Sequence, residues 1–463
     1  MIDIEKLYAE AAPGGAPVAI ETVSKDRLEP WLAAKDDLTR AWMASTGFKA
    51  EAGKLCLLPA PDGSLAGVVA GAADDGGMWD LGGLQAQLPA GLYALEGVSE
   101  PEGAALAWGL GAYKFDRYKG DAKDEDGARL VWPDGCRAER VLNWAASIYL
   151  VRDLINTPAG DMGPAEMAAA ASDIAAQHGA EITVITGDAL LEQNYPSIHA
   201  VGRASDNPPC LIDITWGQPQ HPKVTLVGKG VCFDTGGLDI KAADGMKMMK
   251  KDMGGGANML GLGNMIMASE LPVRLRVLVP AVENAISGNA LYPLDVITTR
   301  SGKTIEIGNT DAEGRVILAD ALYEAGGEAP DMLIDFATLT GAARMALGPD
   351  LPALFCNDDA LAADLLAAGE EMEDPLWRMP LWPGYRKLVD GATADLTNAP
   401  EGRFGGAITA ALFLSEFING AQSWAHVDLM GWNTTNKPGR PIGGEAMGIR
   451  AVFGVIESRF GND

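Results

Sequence analysis

Cysteine and histidine are scarce in this chain, five of the former and four of the latter among 463 residues. Cys56, Cys136, Cys210, Cys232 and Cys356 are odd in number, widely spaced and never arranged as C-x-x-C. That pattern argues against a disulfide framework or a thiolate zinc site and for buried free thiols in a reducing compartment. His178, His199, His221 and His426 never fall four residues apart, so the paired-histidine motif of zinc proteases is excluded. His426, within Trp424-Ala-His-Val-Asp-Leu429, reads as a core histidine rather than a ligand. A G-x-S-x-G nucleophile elbow is missing, and the Gly228-Lys229 pair does not extend to a P-loop. Gly261 and Gly263, inside an apolar helical run, suit packing better than a dinucleotide loop.

Basic residues are also under-represented. Lys and Arg number 36 against 63 Asp and Glu, a formal charge of −27. Such a field repels nucleic acid and anionic membrane surfaces and favours solubility. No run of about twenty apolar residues exists to span a membrane. Met1-Ile-Asp-Ile-Glu-Lys6 lacks the positive region and apolar run of a secretory signal. The expectation is a cytoplasmic protein with no membrane or nucleic-acid partner.

The remaining composition, 48% hydrophobic and 21% charged, is that of an ordinary globular protein. The length exceeds what one core usually organises, so two domains are expected: 1–135, a linking helix within 136–158, and 159–463. In the first, 18–23 and 54–58 read as strands, Asp62-Gly63 as a turn, and the charged stretch 119–127 as an exposed loop. Apolar spacing over 139–155 predicts the linking helix, stopped by Asn156-Thr-Pro158. Beyond it, strands at 181–185, 211–215, 224–227, 275–279 and 332–336 alternate with helices at 165–177, 259–269 and 316–323. This alternation implies an α/β fold, a sheet covered by helices on both faces.

Against these absences, one constellation stands out. Val227-Gly-Lys-Gly-Val-Cys-Phe-Asp-Thr-Gly-Gly-Leu-Asp-Ile-Lys241 is followed by Lys251-Asp252-Met253-Gly254 and by Asn309-Thr-Asp-Ala-Glu-Gly-Arg315. Together they bring Lys229, Asp234, Lys241, Asp252, Asp311, Glu313 and Arg315 into play. Carboxylates gathered closely cannot all ionise cheaply, so they protonate or bind cations. Lys229 and Asp234 follow the strand 224–227, at the end of a sheet strand where α/β folds bind ligands. Asp311 and Glu313 lie two apart, and in an extended segment such residues share a face. Alone, each acid near a glycine turn is only a turn former, and Lys247-Met-Met-Lys-Lys251 is a solvated helix face with a methionine stripe.

Taken together, these segments resemble the leucine aminopeptidase family of two-metal exopeptidases. Asn309-Thr-Asp-Ala-Glu-Gly-Arg315 is the most specific motif, and looser similarity runs from about residue 110 to 450. The resemblance implies a small N-terminal α/β domain and a larger C-terminal α/β catalytic domain with a mixed sheet flanked by helices. It implies two divalent metal ions per subunit, Zn²⁺ or Mn²⁺, with Mg²⁺ or Co²⁺ also accepted. Asp234 and Glu313 would bridge them, Lys229 and Asp252 complete the tight site, and Asp311 complete the exchangeable one. Lys241 would stay protonated and polarise the scissile carbonyl, and Arg315 would hold a bicarbonate ion as general base. Leu339 would offer backbone groups to substrate, and Met249, Thr338 and Gly341 would line the pocket for the N-terminal side chain. The implied reaction is release of N-terminal residues, leucine among them, from peptides by a metal-bridging hydroxide, in a homohexamer. A regulatory or DNA-binding protein on the same fold, or a metal-dependent phosphohydrolase, are the other readings. The chain departs from the commoner pattern at Thr235, where serine is frequent, and at Asp239, where a small hydroxyl residue is common. Asp239 would then tune metal or substrate preference, or be an outward-pointing loop acid.

Overall fold

The computed structural model describes residues 3–10, 16–74, 76–120, 127–402 and 404–461. The chain divides into two compact units, residues 1–149 with 434–442, and residues 150–433 with 443–463. The division falls inside the helix Ala138–Asn156.

The first unit holds a six-stranded sheet of β1 (Tyr8–Ala9), β2 (Val18–Ser24), β3 (Leu55–Pro59), β4 (Leu65–Ala72), β5 (Gly91–Glu96) and β6 (Ala128–Val131), ordered β1-β6-β5-β2-β4-β3. Every pairing is parallel except the β3–β4 hairpin. At its turn Asp62 Oδ1 accepts the Ser64 N–H at 3.0 Å, and Gly63 takes φ +87°. The segment 434–442 packs within this unit, the Arg440 guanidinium lying 4.4 Å above the Trp79 ring. Of the charged stretch 119–127, residues 121–126 lie outside the described residues.

The second unit is built on a nine-stranded mixed sheet. Its strands are β7 (Glu181–Thr186), β8 (Cys210–Trp216), β9 (Lys223–Gly228), β10 (Gly230–Asp234) and β11 (Arg274–Asn284). After a small sheet edge formed by β12 (Val296–Thr298) and β13 (Thr304–Glu306) come β14 (Met332–Ala337), β15 (Ala353–Cys356), β16 (Trp377–Arg378), β17 (Leu396–Thr397) and β18 (Trp424–Asp428). The main order is β16-β15-β18-β14-β9-β11-β8-β7, with β10 continuing beside β11, and β17 joins β12 and β13. The four central strands β18, β14, β9 and β11 run parallel, while β15, β8 and β7 make antiparallel pairs. Val224, Leu226 and Val227 of β9 are all fully buried, the near-continuous apolar run of a strand covered on both faces.

Helices cover opposite faces of this centre. The helix Glu313–Gly327 shares a core with Val227, Leu278, Val282, Leu333 and Ala337. The helix Gly254–Ala268 faces the alternate positions, since a Cβ on Gly256 would meet Val279 and one on Gly263 would meet Val277. That helix begins five residues earlier than apolar spacing suggests, because Gly254-Gly255-Gly256 reads as a helix breaker. Packing overrides propensity: a Cβ on Gly255 would stand 2.1 Å from the Phe336 carbonyl oxygen. Only glycines let the helix start lie directly on the strand ends. Among the described residues no helix is long and apolar enough to cross a membrane.

Candidate metal centre

Parallel strands carry their ligands past their carboxyl ends, and the site lies where β9 and β14 end and β10 continues beside β11. Lys229 occupies the break between β9 and β10, its N–H donating to Phe336 O at 3.0 Å and its carbonyl accepting from Gly256 N at 2.7 Å. Its backbone is thus clamped between β14 and the glycine start of the helix Gly254–Ala268. A bulge between Val231 and Phe233 shifts the β10 register so that Asp234 stands opposite Asn284 of β11. The Asn284 amide donates to Asp234 Oδ1 at 2.8 Å and to Thr310 O at 3.0 Å.

Asp252 lies in the 3₁₀ helix Met249–Met253, buried beside Thr338, whose hydroxyl donates to Asp252 Oδ1 at 2.8 Å. Lys251 in the same turn is also buried, so the run 247–251 is not the solvated face its composition suggests. Burial brings the Lys251 amine down to about 8. Asp311 sits in a turn and Glu313 is the first residue of the helix Glu313–Gly327. The extended geometry expected for this pair is therefore replaced by a turn entering a helix. Asn398 holds the turn, accepting the Gly308 N–H at 2.8 Å and donating to Asn309 O at 2.8 Å and Ala312 O at 3.2 Å.

The result is a compact charged cluster. Carboxylate oxygens of Asp234, Asp252 and Glu313 lie within 4.8 Å of one another, and all three residues are buried. Lys229 Nζ stands 2.7 Å from Asp252 Oδ2 and 2.9 Å from Glu313 Oε1. Lys241 Nζ is 2.7 Å from Asp234 Oδ2 and also contacts Asp311 Oδ1. Burial, then Asp234, pushes the Glu313 carboxyl up to about 8 and that of Asp311 to about 6. Burial opposes both amines, but the surrounding carboxylates outweigh it and hold Lys229 and Lys241 above the ordinary lysine value. Apart from the Lys229 amine, Asp252 Oδ2 and both Glu313 oxygens have no hydrogen-bond partner. Buried oxygens of that kind are costly unless a cation takes them, and an oxygen-rich set with one amine fits divalent ions.

Arg315 follows one helical step on from Glu313, buried, with Nη1 donating to Asn398 O at 2.6 Å. Its Nε has no partner, and burial lowers the guanidinium to about 10. Of the expected pocket residues, Met249 is half-buried and opens the 3₁₀ turn, while Thr338 turns its methyl toward Gly254 and Gly431. Leu339 gives its N–H to Asp428 Oδ1 at 3.0 Å. Gly341 begins the helix Gly341–Leu347, where an added Cβ would meet only Arg344 at 3.7 Å. Asp428 also accepts from Thr340 N at 3.1 Å and Thr340 Oγ1 at 2.6 Å, so this carboxylate shapes the loop 338–340. His426 is a core residue, its Nδ1 2.6 Å from Asp335 Oδ1.

Asp239 is exposed, as an outward-pointing loop acid would be, yet its carboxylate reaches back to Thr310. Its Oδ2 accepts the Thr310 N–H at 2.8 Å, and its own N–H donates to Thr310 Oγ1 at 2.8 Å. Asn284, Asn398, Asp428 and Thr310 were not singled out in the sequence. Asp428 alone carried a local signal, an acid closing a buried strand; the asparagines act across long sequence separations.

Comparison with known proteins agrees with this geometry. Residues 149–453 match the catalytic domain of the cytosol aminopeptidase family, and residues 18–133 match the M17 aminopeptidase N-terminal domain. A probable cytosol aminopeptidase of Roseiflexus castenholzii is 42% identical over 380 residues, 78% of this chain and 77% of that protein. One from Stenotrophomonas maltophilia is 43% identical over 352 residues, covering 73% and 71%. The crystal structure of cytosol aminopeptidase from Coxiella burnetii superposes with a TM-score of 0.93 at 50% identity, covering 98% of this chain and 99% of that one. The bottromycin maturation enzyme BotP in complex with Mn gives 0.86 at 31% identity, covering 96% and 100%. With two family domains matched in order and the fold shared along nearly its whole length, the chain belongs to the cytosol aminopeptidase family and is a metal-dependent aminopeptidase.

Proposed function

We propose that this cluster is the catalytic centre, and that the protein releases leucine and other N-terminal residues from peptides there. The observation that carries the reading is the convergence of Asp234, Asp252 and Glu313 on one buried point, with two lysines and an arginine beside it. Lys229, Asp234, Asp252, Asp311 and Glu313 would hold two divalent ions, Zn²⁺ or Mn²⁺ with Mg²⁺ or Co²⁺ as substitutes. Bound there, the ions supply Lewis acidity that polarises a carbonyl and activates water near neutral pH.

The chain's own residues do the remaining work. Lys229 would hold an ion through its neutral amine, having released its proton to solvent, and Asp252, held by Thr338, keeps its carboxylate in the buried cluster. Lys241, raised above the ordinary lysine range, keeps its proton and donates to the oxyanion that develops on the scissile carbonyl. Arg315 presents a buried guanidinium edge, unpartnered at Nε, that suits a planar anion such as bicarbonate as proton acceptor. The loop 338–341, fixed by Asp428, borders the substrate with Met249. We place the enzyme in the cytoplasm as a homohexamer. That assembly is supported by the resemblance and by exposure of Trp377, Trp382, Tyr385 and Leu388 within one short stretch.

The test is hydrolysis of leucyl amide and dipeptides with added Mn²⁺ or Zn²⁺, alongside N-acetylated substrate and phosphate esters. Release from the free-amine substrates alone is expected. Phosphate release without amide cleavage would overturn the reading. A light-scattering mass of one subunit would refute the hexamer.

A further inference from the structure

Asp239 is the unusual residue of the glycine-rich loop, and its side chain is committed to a specific partner. Thr310, directly before Asp311, is buried, so its N–H has no water to turn to. Asp239 Oδ2 takes that N–H at 2.8 Å and lies 3.2 Å from the Thr310 hydroxyl, while Asp239 N donates back to Oγ1 at 2.8 Å. The same hydroxyl donates to Gly236 O at 2.6 Å. From the other side Asn284 holds Thr310 O with the amide that also holds Asp234. The loop itself is closed by Lys241 N donating to Thr235 O at 2.9 Å. It is packed tightly enough that a Cβ on Gly236, at φ +89°, would stand 2.5 Å from Asp239 O and 3.2 Å from Asp311 Oδ1.

We propose that Asp239 is a positioning residue for the more exchangeable of the two metal ions, acting by locking Thr310, and through it Asp311, onto the glycine-rich loop. The inference rests on Asp311 being a ligand, as read above. It makes Asp239 a geometric clip whose acceptor oxygen matters and whose charge does not. A serine at this position has a shorter reach, so the acid ties the two ligand loops together across a gap that a small hydroxyl spans less well. Losing one ordinary hydrogen bond is worth up to about a decade in affinity.

The experiment is calorimetric titration of the full-length, metal-depleted protein with Mn²⁺, comparing the parent, Asp239→Ala and Asp239→Asn. The parent should bind two ions in separable steps. Asp239→Ala should weaken the second step about tenfold and leave the first unchanged, which also shows that the variant is folded. Asp239→Asn retains an acceptor oxygen and should stay within about threefold of the parent. An Asp239→Ala titration matching the parent would overturn the proposal. Equal weakening in both variants would show that Asp239 acts through its charge, and weakening of both steps together would show general loosening; either result overturns the clip. A parent that binds fewer than two ions would instead refute the ligand assignment, and the proposal with it.

Discussion

Replacing Lys241 with methionine keeps most of the side-chain volume and removes one charged donor, which separates the amine's ion pairs with the acids from the catalytic role proposed for it. Lys241 Nζ is 2.7 Å from Asp234 Oδ2, and its side chain is 15% exposed. If the same amine serves the developing oxyanion, its loss costs about 3–4 kcal/mol of transition-state stabilisation, as for other preorganised donors. At about 1.4 kcal/mol per decade that is a fall of roughly 10²–10³ in kcat. Metal binding should respond in the opposite direction. At an effective dielectric near 20, a charge pair at this separation attracts with about 6 kcal/mol before solvent screening. Without Lys241, that attraction no longer competes with an ion for Asp234 and Asp311. The assay is steady-state hydrolysis of leucyl amide, with metal content of the same preparation measured by elemental analysis. A variant holding its full metal complement with kcat within tenfold of the parent would refute the catalytic role. A variant that loses its metal would show Lys241 to be a structural partner of the ligands instead.

Other substitutions test the surrounding framework. In Gly314→Ala the new Cβ would stand 2.5 Å from Lys229 Cε and 2.7 Å from its Nζ; displacement of the amine should weaken tight-site metal binding by roughly tenfold or more, although alanine itself favours the helix. Unchanged affinity by titration would clear Lys229 of a ligand role. Glu445→Ala removes the carboxylate that meets the buried Arg152 through Nε at 2.9 Å and Nη2 at 3.1 Å. It should cost about 3–5 kcal/mol in urea unfolding, and pairing it with Arg152→Met should recover part of the loss; a double variant as unstable as the sum of the singles would count against the ion pair. Asp428→Ala strands the Leu339 and Thr340 N–H groups, so KM for peptides should rise several-fold with metal content intact. An unchanged KM would mean that the loop 338–340 does not meet substrate.

Much of the catalytic unit was legible because its strands are short apolar runs separated by glycine and proline, and each expected strand there appears with ends shifted by a residue or several. β11 runs on to Asn284, well past the apolar stretch ending at residue 279. Seven of the nine charged residues in the three motifs stood out as candidate chemistry because few other contexts gather acids, amines and glycines so densely. Geometry was less so. The helix Gly254–Ala268 starts on three glycines for a reason found only in its contact with Phe336. Asp311 and Glu313 sit at a turn that Asn398 holds from far along the chain. Lys251 reads as solvated and is buried, because the 3₁₀ turn that aims Asp252 inward takes its neighbour with it. Asp239 could be recognised as unusual, but its partner Thr310 is close only in the folded state.

The order in which the ligands occur along the chain has a consequence for biosynthesis. Lys229, Asp234 and Asp252 lie on one side of the helix Gly254–Ala268 and strand β11, and Asp311 and Glu313 on the other. A nascent chain that has emerged only as far as β11 carries three of the five proposed ligands and lacks Glu313, whose carboxylate closes the buried triangle. If those residues hold the ions, the full donor set exists only after the helix Glu313–Gly327 has docked on the sheet and β14 has taken its place beside β9. Metal binding by this set would then follow docking of these elements rather than precede it.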